Sequence, residues 1–182
     1  MKQVEGIHTS RVEVIGLGNP LMSDEGIGCR ILADLARLWQ SSNDAAGRMV
    51  QFRDLGTSGI HVLHAIAHQE IVFFIDCAFM GEPPGTIRRF TPEDITERRF
   101  TAKLSLHEGD LFQTLAISSW LGEHPKKVVI YGVEPLEVYP HEQLSPLLED
   151  NLSYYLNLLL EELRSCVPVP HPVSASKIPL SD

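Results

Sequence analysis

The segment IVFFID, residues 71–76, runs five apolar residues without a break and stops at Asp76. A strand with one wet face alternates polar and apolar side chains. An unbroken run instead fits a strand covered on both faces, so helices must lie on both sides of its sheet. The chain before it supplies them. Residues 12–17 (VEVIGL) predict a short strand, closed by Gly16 and Gly18. Residues 26–40 predict a helix, with Ile27, Ile31, Leu35 and Leu38 at helical spacing. Residues 49–55 predict a second strand, and GTSG (56–59) turns into a helix over 60–68. The order β-α-β-α-β implies a parallel sheet with right-handed crossovers.

After the loop CAFMGEPPG comes TIRRF (86–90), read as a strand. The link from Asp76 to Thr86 is shorter than the dozen or more residues of a parallel crossover, so this strand is expected to be antiparallel. A helix over 107–121, a last strand at 126–133 and a long helix over 143–163 complete the pattern. The stripe of the last helix is Leu144, Leu147, Leu148, Leu152, Tyr155, Leu159 and Leu163. The expected class is α/β: a three-layer α/β/α fold with a mixed five-stranded sheet, one antiparallel strand and helices on both faces. A length of 182 residues suits one domain, placed at 11–165 after an N-terminal extension at 1–10. Residues 166–182 form a Pro-rich tail expected to be flexible, with four prolines in the last sixteen residues.

Charge and cysteine content narrow the function. The net charge of −9 argues against a nucleic-acid surface, which needs clustered Lys and Arg, and against an anionic membrane surface. A cation or a basic protein segment is the more natural partner. The three cysteines, Cys29, Cys77 and Cys166, form no CxxC, so neither a disulfide framework nor a zinc ribbon is expected. Residues 1–10 are polar and the longest apolar runs are strand-sized. No signal peptide or membrane insertion is therefore expected, and a reducing cytoplasm is the default compartment.

Where a phosphate-binding loop would avoid acids, the glycine turn after the first strand carries Asp24 and Glu25. In open α/β sheets, ligands sit beyond the carboxyl ends of strands, where strand order reverses. If strands one and three are neighbours, Glu25 and Asp76, read as the end of strand three, share one cleft. Two such carboxylates repel unless one protonates or a cation joins them. A competing reading gives Asp24 and Glu25 to a helix start, with Ser23 as cap and about 0.3–1 kcal/mol from the helix dipole. Asp76 has a competing reading too, as a helix cap or a backbone-bonded loop residue.

His107, in LSLHEGDL at a helix start, is the third candidate. Two carboxylates and an imidazole suit Ni²⁺, Zn²⁺ or Mn²⁺ and leave coordination positions open. His61, His64 and His68 form a rival group. Val62, Leu63, Ile66 and Ala67 take the opposite arc as the core face, which makes the histidines a plain polar face. Cys29 is expected to be packed, and Cys77 beside Asp76 has a raised pKa rather than an activated thiol. No GxSxG nucleophile elbow is present.

GLGNP also opens peptidyl-tRNA hydrolases, but the Arg-His-Asn segment that follows there is absent. GLGNPLMSDEGIG resembles the G-x-G-N-x-L-x-x-D-[DE]-x-x-G signature of hydrogenase maturation proteases. The resemblance continues through DLGTSGI (54–60), FFIDCA, SLHEGDL and YGVEP (131–135), spanning roughly residues 12–163. It implies a mixed five-stranded sheet between helices and an endopeptidase that trims the C-terminal extension from a [NiFe]-hydrogenase large-subunit precursor. It also implies nickel, carried by the substrate, docked against Glu25, Asp76 and His107, with zinc as the other divalent option. Catalysis is expected from the same three residues. Asp24, Asp54, Gly56, Thr57 and Gly59 are implied as substrate or loop residues, with Asp24 or Asp54 assisting the chemistry if nickel is only a recognition handle. Leu55 stands where many members have another glycine. Glu134 and His141 lie near the last strand and are expected to be structural. A monomer is the simplest expectation. The alternative function is a metal-dependent binding or chaperone protein of the same fold without proteolysis.

Overall fold

The computed structural model of the chain describes residues 12–42, 50–96, 103–104 and 108–167. The N-terminal extension, His107 and the Pro-rich tail from residue 168 lie outside the described residues. Strand β1 is Val12–Leu17, and a 3₁₀ turn at Ser23–Gly26 leads into helix α1, Ile27–Ser41. Strand β2 is Val50–Gly56, α2 is Gly59–Ile66 and β3 is Ile71–Phe79. Then follow β4 (Ile87–Phe90), α3 (Pro92–Thr96), β5 (Lys103–Leu104), α4 (Glu108–Trp120), β6 (Lys127–Val133) and α5 (Pro146–Cys166).

The sheet order is β2-β1-β3-β6-β4. Strands β2, β1, β3 and β6 are parallel, and β4 runs antiparallel to β6 from Ile87↔Val133 to Phe90↔Ile130. The mixed five-stranded sheet with one antiparallel strand is thus observed. The short strand β5 is an addition that the sequence pattern did not suggest. It pairs antiparallel with β3 at Ala78 and Phe79.

Alternation along the strands sorts the core into two layers. Val12, Val14, Phe73, Ile75 and Val129 pack with α1 and α5. Ile15, Leu17, Phe74 and Ile130 pack with α2 and α4. Helix α5 differs from expectation at both ends. It begins at Pro146, with Ser145 as its cap accepting from Leu148 N, and it runs through Cys166. Val167 is still buried, so the packed domain extends past residue 165. Its stripe holds Leu148, Leu152, Tyr155, Leu159 and Leu163 in the core, whereas Leu147 is exposed.

Glu13 is the exception to an otherwise apolar β1. It is fully buried and ion-pairs at 2.7 Å with Arg53 of the neighbouring edge strand. Burial pushes its carboxyl up to about 7 from an ordinary 4.5, against the lowering pull of Arg53. Because the folded value exceeds the unfolded one, the native state keeps a proton that the unfolded chain gives up. The stability this provides is complete below about pH 4.5 and lost as pH rises to about 7. Glu13→Gln should therefore stabilise the protein at pH 8 by roughly 3 kcal/mol, with the gap closing toward pH 5. Thermal melts at the two pH values test this, and an equal gain at both would contradict it.

Candidate active site

Backbone contact sets the geometry of the site. A Cβ placed on Gly28 would lie 2.2 Å from Leu17 O and 2.3 Å from Ile75 O. The first turn of α1 therefore sits directly on the end of β1 and on the middle of β3, which only a residue without a side chain permits. Gly18, at φ +122, lets β1 turn away, and Gly18 N donates to Gly56 O at 3.0 Å. Strands β1 and β3 are neighbours, and strand order reverses between them. The crevice predicted from the sequence is thus where the 3₁₀ turn lies.

Glu25 occupies that turn, half-buried, with its carboxyl raised by loss of solvent. Asp76 is fully buried. It is not the last residue of its strand, because the apolar run resumes at Cys77 and carries β3 on to Phe79. By alternation it shares the face of Val72, Phe74 and Ala78, the side covered by α2 and α4. The thiol of Cys77 reports on the cluster. Burial raises it most, and the charges of Asp76, Glu25, Asp24 and Glu134 raise it further.

His107 falls outside the described residues. Its chain neighbours at 103–104 pair with Ala78 and Phe79, and α4 begins at Glu108. Among the described residues, no three His, Cys, Asp or Glu side chains form a metal-sized group.

Asp24 differs from the helix-start reading. It is fully buried, and its carboxylate accepts hydrogen bonds from Leu136 N (2.9 Å), Glu137 N (3.2 Å), Ser145 N (2.7 Å) and Ser145 Oγ (2.9 Å). Ser23 is not a cap either, since its hydroxyl donates to Glu137 O at 2.8 Å. Neither the 3₁₀ turn nor α1 has a side-chain cap. With four donors on its two oxygens, Asp24 is poorly placed to take a proton from water.

Asp54 Oδ1 accepts from Gly56 N at 3.1 Å and from the Cys29 thiol at 3.2 Å, so it braces the GTSG loop against α1. Thr57 is exposed and Gly59 is the first residue of α2. Leu55, the departure from the family pattern, packs against the α2 and α4 core. Glu134 accepts from Met80 N (2.6 Å) and Glu82 N (3.2 Å), a structural tie between β6 and the loop after β3. His141 exchanges backbone bonds with Leu21 and Ser23. His61, His64 and His68 are exposed, as a polar face requires.

A cleft of about 740 Å³ opens beside the turn, between Pro20, Gly26, Asp54 and the start of α5. Neither Glu25 nor Asp76 lines it, so it adjoins the carboxylates without containing them. Nothing in the sequence marks Ser145 as an anchor, although Ser-Pro ahead of the α5 stripe is a helix-start signature.

Fold and site together define an α/β protein with carboxylates gathered where its strand order reverses. Residues 29–162 match the family described as hydrogenase maturation protease. The hydrogenase 2 maturation protease of Escherichia coli K12 is 32% identical over 155 residues, covering 85% of this chain and 91% of the relative. The hydrogenase expression/formation protein HupD of Thiocapsa roseopersicina is 31% identical, covering 82% of this chain and 66% of its own length. Among solved structures, the hydrogenase maturating endopeptidase HybD from E. coli superposes with a TM-score of 0.72 at 30% identity, covering 86% of this chain and 93% of that one. The chain belongs to the hydrogenase maturation protease family, and its enzyme class is that of a peptidase. No helix among the described residues is long and apolar enough to cross a membrane.

The cysteines have no place in this chemistry. Burial, with help from Asp54 and Asp76, pushes the Cys29 thiol up to about 12, and Cys77 is raised as well. Iodoacetamide at pH 8 should alkylate the half-exposed Cys166 well before either buried thiol. Mass mapping of the folded protein checks this, and labelling of Cys77 at the rate of Cys166 would contradict it.

Proposed function

We propose that this protein is an endopeptidase that removes the C-terminal extension of a [NiFe]-hydrogenase large-subunit precursor after nickel insertion. Nickel arrives as part of the substrate and docks against Glu25, Asp76 and His107. The observation that carries the reading is the placement of a desolvated Glu25 and a buried Asp76 at one strand-order reversal in a member of this family. A carboxylate that has lost water regains favourable energy from a cation, and a substrate that brings the cation supplies it only once loaded.

In this reading the two carboxylates and the imidazole hold the cation-bearing segment so that the scissile peptide lies beside them. A divalent ion there polarises a carbonyl or lowers the pKa of water. Asp76 or Glu25 takes the proton from the attacking water, and the leaving amine is protonated in turn. The four hydrogen bonds on Asp24 favour Glu25 or Asp76 over it as that base. Zinc fits the same donor set and is the alternative ion. The family resemblance and the net charge of −9 support a protein partner rather than nucleic acid.

Intact mass of the nickel-loaded precursor, incubated with the purified protein, gives the test. The wild type should release the extension as one peptide. Asp76→Asn and His107→Ala should each slow release on the order of 10²–10³-fold while keeping a cooperative melt. Normal cleavage by either variant would break the three-residue reading. Tight binding of the precursor by the wild type without shortening would replace the peptidase with a non-proteolytic chaperone.

A further inference from the structure

We propose that Asp24 is a positioning residue, whose carboxylate fixes the turn that aims Glu25 at the substrate-borne cation. The inference rests on the functional reading above and concerns how the neighbouring residue is held.

Asp24 makes no use of its own helix. Its four donors come from residues 136, 137 and 145, which lie 112–121 positions away. A fully buried carboxylate without such donors would be costly, so the bonds and the burial belong together. Ser145 plays two parts. It donates to Asp24 and, at 3.4 Å, accepts from Leu148 N as the cap of α5. The start of α5 and the acidic turn are therefore one hydrogen-bonded unit.

The flanking residues extend this unit. Ser23 N donates to His141 O at 2.6 Å, His141 N donates to Leu21 O at 2.9 Å, and Met22 bridges His141. Ser23 itself is held at φ 48, a conformation that a serine rarely adopts. Such a backbone persists only when its surroundings over-determine it. Glu25 follows immediately. Among the described residues, no side-chain hydrogen bond orients its carboxylate, and loss of solvent alone raises its pKa. The direction of Glu25 is thus set by the backbone of the turn, and the turn is set by Asp24.

The test uses the full chain and three variants. Asp24→Asn presents an amide N–H to backbone N–H donors and should release the turn. Ser145→Ala removes one of the four bonds and is the milder probe if the first variant fails to fold. Glu162→Gln is the stability control. It breaks a network with Arg89, Tyr131 and Lys127 in the C-terminal half of α5, a part of the helix with no role in the acidic turn.

We expect Asp24→Asn to lower kcat/KM on the nickel-loaded precursor about 10²-fold and to speed amide exchange across residues 25–28. Ser145→Ala should lose about tenfold. Glu162→Gln should lower Tm while cleaving within about threefold of wild type. If Asp24→Asn, or Ser145→Ala should the first be unfolded, cleaves like Glu162→Gln, Asp24 is merely structural and the proposal falls. If the wild type itself leaves the precursor intact, the functional reading has failed separately. Exchange then decides the clamp: faster exchange at 25–28 upholds it, and unchanged protection overturns it.

Discussion

The site depends on a contact between backbones. Gly28 brings the first turn of α1 against the carbonyl oxygens of Leu17 and Ile75, closer than any side chain would allow. With α1 seated on the end of β1 and the middle of β3, the turn that precedes it lies over the crevice between the two strands. Gly18 permits the exit from β1, and its N–H ties that exit to the end of β2. The ends of β1 and β2, the middle of β3 and the start of α1 are thereby fixed relative to each other.

Onto this frame the chain brings several carboxylates near one crevice. Each carboxylate is treated differently. Asp24 is surrounded by N–H and O–H donors, which spread its charge. Asp54 and Glu134 are absorbed into loops. Glu25 has been stripped of part of its water without receiving a comparable set of donors among the described residues. Under the proposed function, the substrate-borne cation supplies what Glu25 lacks.

Much of the fold was visible in the sequence because it rests on local periodicity. The apolar run at 71–75 announced a central strand, and the short link after it announced the antiparallel β4. What escaped was decided over long distances or by faces that periodicity cannot see. Glu13 sits between Val12 and Val14, where alternation alone would put it in water, yet both faces of β1 are covered and Arg53 must come across from β2. Asp76 looked like a strand end because it is polar, whereas the sheet continues for three more residues. The placement of Glu25 in the turn at the strand-order reversal was legible from its position in the sequence. The buried hydrogen bonding of Asp24 was not, since its partners lie more than a hundred residues further along the chain. Ser145 was hidden for the same reason, and the helix it caps was placed three residues too early.

That separation has a consequence for how the protein comes into being. The acidic turn is made of residues 21–25, but the bonds that shape it come from residues 136–145 and from the start of α5. Closing so long a loop is among the slower and later events of folding. During synthesis the sheet β2-β1-β3 can form while the turn remains without its anchor, because domains emerge from the N-terminal side. The acidic turn therefore acquires its shape only once the chain through the start of α5 is available. A partly made molecule carries the acids but not their arrangement, and under the proposed function is poorly equipped to cut anything around it.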